Sequence, residues 1–119
     1  MSGGWKLTGQ KVKVAEKDVV KAVKQLLGWH HYLPIRIHCG GCTMPDGTWT
    51  TLAPEGTPDF VVLDPIRPAF FWEAKAPRGR LSPAQIRRQE ELRIAQFQVV
   101  TVHSVEEMER WLEEHERSP

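Results

Sequence analysis

Cysteine is scarce in this sequence of 119 residues, and long apolar runs are missing. Two cysteines cannot build a disulfide framework, so stability has to come from a packed core. A membrane span needs about 18 or more uninterrupted apolar residues, whereas the longest apolar runs here cover only a few positions, and Met1 to Gln10 lacks the apolar stretch of a signal peptide. A soluble, unexported protein is expected. Internal repeats, low-complexity tracts and long linkers are absent as well. At 40% hydrophobic and 26% charged residues, the chain fits one domain over residues 1–119, with its core at about 12–115, and is too short for a second independent core.

Net charge is also small, +1, but it is unevenly spread. Between residues 75 and 93, Lys75, Arg78, Arg80, Arg87, Arg88 and Arg93 stand against Glu90 and Glu91, a local +4. Residues 104–119 set Arg110 and Arg117 against six glutamates, a local −4. A polyanion such as nucleic acid would be drawn to the first segment and repelled by the second. Solvated helix faces of opposite sign account for the charge pattern about equally well.

Periodicity orders the elements. Val12, Ala15, Val19, Val20, Val23, Leu26 and Leu27 fall at helical spacing, predicting an amphipathic helix from Val12 to about Gly28. Leu33 to His38 alternates apolar and polar residues, as a strand with one buried face does, and a Gly-, Pro- and Thr-rich loop follows to Pro58. Phe60–Leu63 and Ala69–Trp72 are apolar throughout, which predicts adjacent antiparallel strands covered on both faces. Ser82-Pro83-Ala84-Gln85 has the cap, first-turn proline and third-position glutamine of a helix start, with that helix reaching about Gln96. Val99–Val102 reads as a strand. Ser104-Val105-Glu106-Glu107 opens a last helix, striped by Val105, Met108, Trp111 and Leu112. The order α, β, β, β, α, β, α implies an α/β fold: a mixed central sheet flanked by helices, with a C-terminal helix and a right-handed final crossover.

Three acids stand where apolar residues would be expected. Asp59, in Gly56-Thr57-Pro58-Asp59, opens a wholly apolar strand, although a turn carboxylate satisfying backbone N–H groups would look the same. Glu73 and Lys75 close the next strand two residues apart and so share a face; a local ion pair is the simpler reading. Two close carboxylates repel unless a cation lies between them, and oxygen donors of this kind suit Mg²⁺ or Mn²⁺. Glu16 falls inside the apolar arc of the first helix, as a rim residue or as a third acidic member of that site.

The series Glu16, Gly56-Thr57-Pro58-Asp59, Glu73-Ala74-Lys75 and Gly79-Arg80-Leu81-Ser82-Pro83-Ala84-Gln85 resembles the VRR-NUC family of the PD-(D/E)XK nuclease superfamily, in particular its short stand-alone phage and bacterial members. The likeness covers roughly residues 14–112. The resemblance implies a restriction-endonuclease-like α-β-β-β-α-β core, the order that periodicity also gives. It further implies that Asp59, Glu73 and the backbone carbonyl of Ala74 bind Mg²⁺ or Mn²⁺, with Glu16 a further contributor through water. Lys75 would orient or help deprotonate the attacking water, and Gln85 would line the site. The implied activity is a metal-dependent DNA endonuclease of the bacterial or phage-infected cytoplasm, needing no small-molecule cofactor. Its implied substrate is structured DNA such as four-way (Holliday) junctions, engaged as a homodimer.

Gln85 also completes a capping box, and both roles can hold at once. Gln85, Gln89, Arg93 and Gln96 form a polar row where a core face is expected, a candidate wall beside the substrate. Arg78, Arg80, Arg87, Arg88 and Gln89 are the candidate nucleic-acid contacts. Cys39-Gly40-Gly41-Cys42 has zinc-knuckle spacing, but no second paired motif follows, so a glycine turn is the preferred reading. Trp49 is the one base-stacking candidate, with cover for a sheet edge the preferred role. Competing functions are a non-catalytic nucleic-acid-binding or assembly module, a flap- or nick-directed repair nuclease, and a zinc-stabilised adaptor.

Overall fold

The computed structural model describes residues 14–117. Its elements run α1 (Glu16–Trp29), β1 (Leu33–Arg36), β2 (Gly41–Thr43), β3 (Trp49–Thr51), β4 (Phe60–Leu63), β5 (Phe70–Ala74), α2 (Pro83–Ile94), β6 (Gln98–Val102) and α3 (Val105–Arg117). The main sheet has four strands in the order β1-β4-β5-β6. β4 runs antiparallel to β1 and β5, and β6 parallel to β5. The sheet is mixed, as expected.

Strand alternation sorts the sheet's residues onto two unlike faces. Phe60, Val62, Phe70, Trp72, Ala74, Val100 and Val102 point to one side and pack with Val19, Val23, Leu26 and Leu27 of α1 and Met108 and Leu112 of α3. That cluster is the core. Phe60 and Trp72, partners in the β4–β5 register, stack with ring centroids 4.4 Å apart. The opposite face carries Asp59, Val61, Leu63, Phe71, Glu73, Val99 and Thr101, and α2 covers it over β6.

The strands are therefore not buried on both faces as their apolar runs predict. Val61 and Phe71 are half-buried and Leu63 is exposed, because α2 covers only the β6 side of that face. For the same reason β1, an edge strand of four residues, buries neither side fully, and Leu33 is 57% exposed. Pro34, which has no N–H to donate, is tolerated at such an edge.

Helix limits shift for identifiable reasons. Val12 lies outside the described residues. α1 begins only at Glu16 because the Asp18 carboxylate accepts the Ala15 N–H at 2.9 Å and closes the first turn. It passes Gly28, and the chain reverses at His31 with φ 66°. α2 ends at Ile94, and Gln96 takes the left-handed conformation beyond its C-cap, φ 72°. The expected loop before Pro58 contains a hairpin, β2–β3, turned at Gly47 (φ 89°), where Asp46 Oδ1 accepts from the Thr48 N–H and hydroxyl at 3.0 and 2.7 Å.

At the β4–β5 turn, His115 of α3 adds a buried residue to the expected stripe. Its Nε2 lies 2.8 Å from Asp64 Oδ2, and both side chains are out of solvent. Asp64 Oδ1 accepts from the N–H groups of Ile66 and Arg67 at 2.8 and 3.0 Å. Burial pushes the Asp64 pKa up, but those N–H groups and His115 outweigh it and hold the carboxyl below its usual range. Because the folded pKa is depressed, this contribution to stability is full above the unfolded pKa and is lost as pH falls through the folded one. Asp64→Ala should leave His115 and two backbone donors unpaired and cost about 3 kcal/mol, read from the urea midpoint at neutral pH.

Candidate metal and phosphate site

The β4–β5 register sets the site. Phe60 pairs with Trp72, so one step further Asp59 faces Glu73 on the side away from the core. Asp59 Oδ2 accepts the Ala74 N–H at 3.2 Å, which ties the carboxylate to the end of β5. In the parallel β5–β6 pairing Glu73 is opposite Thr101, so one polar row crosses three strands.

Glu73 is 1% exposed. The Gln85 amide donates to its Oε2 at 3.2 Å, while Oε1 is buried with no hydrogen-bond partner among the described residues. Burial raises its pKa most, followed by the Asp59 charge and by a hydrogen bond that only a protonated Glu73 can make to Asp59. Lys75 works in the opposite direction and Glu16 adds a small upward push, leaving the carboxyl at about 8. As two carboxylates the pair has acceptors facing each other and no proton between them. Among the described residues no group of three or more His, Cys, Asp and Glu side chains forms a ready-made metal cage; the acidic donors are this pair, with the Ala74 carbonyl beside it.

Glu16 sits at the rim, one of the two readings that its place in the apolar arc allowed. It is the first residue of α1 and exposed, reaching Glu73 through charge alone. Lys75 is half-buried at the strand exit, where its N–H bonds the Val102 carbonyl at 3.0 Å. Gln85 holds both roles read from the sequence: its Oε1 accepts the Ser82 N–H at 2.8 Å, its own N–H donates to Ser82 Oγ at 3.1 Å, and its amide bonds Glu73. Gly56 fixes the other side, with φ 86° and its Cα so close to Ala84 of α2 that a Cβ would collide with the Ala84 carbonyl. The segment leading to Asp59 and the start of α2 are thereby pressed together.

The polar row of α2 does face the sheet. Gln89 is buried, 2% exposed, donating to Thr101 Oγ1 at 2.9 Å and accepting from Arg93 at 3.1 Å. Gln89 is therefore a fastening of α2 and not a surface contact for nucleic acid, a correction of its expected role. Gln96 lies beyond the helix and is exposed. Arg78, Arg80 and Arg87 are exposed, whereas Arg88 is half-buried and donates to Glu91 at 2.6 Å.

Two contributors have roles that sequence spacing does not give. His103 Nε2 lies 3.1 Å from the Gly79 carbonyl, pinning the loop that bears Arg78 and Arg80, while its Nδ1 is 3.1 Å from Glu107. Cys39, exposed and free like Cys42, donates its thiol to the Thr57 carbonyl at 3.3 Å. Burial, then Asp59 and Glu73, push its pKa up. Both contacts join segments far apart in sequence.

No protein-family model matches the chain, and no curated protein matches it in sequence. Among the described residues no helix is long and apolar enough to cross a membrane.

With its folded pKa raised from 4.5 to about 8, Glu73 contributes stability that is full below about pH 4.5 and lost as pH rises through about 8. In EDTA the melting temperature should fall across this window. Glu73→Gln should flatten that decline, and Mg²⁺ should raise wild-type stability most at the alkaline end. An identical pH profile for Glu73→Gln would place the effect elsewhere.

Proposed function

We propose that this chain is a divalent-metal-dependent DNA endonuclease of the PD-(D/E)XK type, similar to stand-alone VRR-NUC nucleases, cutting structured DNA such as four-way junctions as a homodimer. The observation that carries the reading is Glu73 itself: a buried carboxyl with one unbonded oxygen, facing Asp59 across the strand register. Two carboxyls so placed must share a proton or a cation, and a dication would satisfy both at once. With the β2–β3 hairpin set aside, the order α1-β1-β4-β5-α2-β6 is also the α-β-β-β-α-β order of that superfamily.

Oxygen donors alone make the site suited to a hard ion, held by Asp59, Glu73 and the Ala74 carbonyl, with Glu16 acting through water. When bound, Mg²⁺ or Mn²⁺ supplies Lewis acidity to the phosphodiester and to the attacking water. The chain's own residues provide the rest. Gln85 fixes the orientation of Glu73 through its amide, and the Asp59 carboxylate is held by the Ala74 N–H. Lys75 brings an ammonium to the Glu73 side of the strand, where it orients water and offsets charge building on the phosphate. Arg78, Arg80 and Arg87 offer exposed guanidinium groups to flanking phosphates, a contribution to affinity without sequence information.

Cleavage of a labelled panel of four-way junction, flap, linear duplex and single strand should depend on Mg²⁺ or Mn²⁺ and be strongest on the junction. Asp59→Asn and Lys75→Ala should each reduce the rate about 100-fold or more while circular dichroism stays native. Binding without cutting, with either metal, would replace this reading by a non-catalytic nucleic-acid-binding module.

A further inference from the structure

The β2–β3 hairpin forms a sheet of its own, outside the four-stranded one. Its root lies beside the acid pair. Cys39 bridges Ala53, the Gly40 N–H bonds the Ala53 carbonyl at 2.8 Å, and the Ala53 N–H bonds the His38 carbonyl at 3.0 Å. Immediately before that root, the Ile37 N–H bonds the Asp59 carbonyl at 2.7 Å, and the Cys39 thiol bonds the Thr57 carbonyl. The arm therefore springs from the segments that position Asp59. Trp49 stands four residues from Ala53, about 13 Å along an extended strand, comparable to about four base steps of a nucleic-acid strand.

Trp49 is 70% exposed, an unusual setting for the largest apolar side chain. Its indole leans diagonally across the hairpin onto Gly41. A Cβ at Gly41 would collide with the ring, standing 2.8 Å from Cε2 and 2.9 Å from the Thr50 carbonyl oxygen. Glycine lets the ring lie on the backbone. The arm thus supports the indole while much of it stays open to solvent. The arm's only ionised side chain is Asp46, spent on the Thr48 turn.

We propose that the β2–β3 hairpin is a substrate-reading arm whose Trp49 indole stacks on an unpaired nucleobase of the strand led toward Asp59 and Glu73. This rests on the nuclease reading and deepens it, because a stacking partner is available in branched, frayed or single-stranded DNA and absent from an intact duplex. A flat, supported ring near a phosphate site gives sequence-tolerant affinity. Branch or fork recognition would then reside in the arm and phosphodiester chemistry in the acid pair.

The test is binding in EDTA, so that no outcome depends on cleavage. Fluorescence anisotropy would compare a forked duplex with a blunt duplex for wild type, Trp49→Ala, Trp49→Phe and Trp29→Ala. Trp29 is the control: it is equally exposed but lies about 20 Å along α1 from Glu16. Trp49→Ala should weaken fork binding about 5- to 100-fold, the scale of one lost stack, with blunt-duplex binding unchanged. Trp49→Phe should retain most of the affinity and Trp29→Ala all of it. A 2-aminopurine at the unpaired position should lose fluorescence on binding wild type and keep it with Trp49→Ala. Equal losses on both substrates, no loss on the fork, or no wild-type binding to either DNA would overturn the proposal. Absence of cutting with the stacking signature intact would overturn only the nuclease reading.

Discussion

The confrontation of Asp59 with Glu73 across β4 and β5 is the constraint on which the rest of this structure depends. The register that stacks Phe60 on Trp72 in the core also places the two acids opposite each other on the other face. A one-residue slip of either strand would send that strand's acid to the core side, so core packing enforces the site's geometry. Burial of Glu73 beside a second acid is costly, and the surrounding structure is organised to hold it there. Gln85 donates to its Oε2, Ala74 ties down its neighbour, and the contact of Gly56 with Ala84 locks the two supporting segments together.

The character of α2 follows from the same constraint. A helix packing over a sheet ordinarily shows it an apolar stripe. Here the underlying row contains Glu73 and Thr101, and an apolar stripe would leave both without partners. α2 instead meets them with Gln85 and Gln89, while Ile86 and Ile94 are exposed. Attachment through hydrogen bonds places the helix more narrowly than hydrophobic contact would, since each bond weakens steeply with distance and angle. The helix therefore acts as a mount for the site.

How much of this was legible depends on whether the determining contacts are local. α1, α2 and α3, the two apolar strands and β6 were legible because periodicity and caps such as Ser82–Gln85 act within a few residues. The shared face of Glu73 and Lys75 follows from strand alternation. The polar row of α2 was visible as an anomaly, but its meaning was divided: Gln85 faces Glu73, whereas Gln89 is consumed by Thr101, and no spacing rule distinguishes them. Glu16 was divided too, between a rim residue and a member of the acid site. Its angular position on the helical wheel is apolar, but as the first residue of α1 it lies beyond the part of the helix that the sheet covers. The β2–β3 hairpin was hidden because its strands have three residues each, too few to show alternation, although Asp46-Gly47 is a turn signal. His103 and His115 were illegible, since their partners Gly79 and Asp64 come from distant segments.

β4 has an acid near each end, and the contrast between the two environments is informative. Asp64, past its C-terminal end, has its side chain out of solvent yet is held below its usual pKa, because two backbone N–H groups and His115 converge on it. Glu73, facing Asp59 beside its N-terminal end, is similarly buried yet raised to about 8, because its neighbours include a second acid and too few donors. Burial opposes charge in both; the number of donors decides the outcome. Where the fold needs a buried carboxylate for its own integrity, it completes the hydrogen bonds around it. Around Glu73 those bonds are left incomplete, and the carboxyl keeps its proton up to about pH 8 instead.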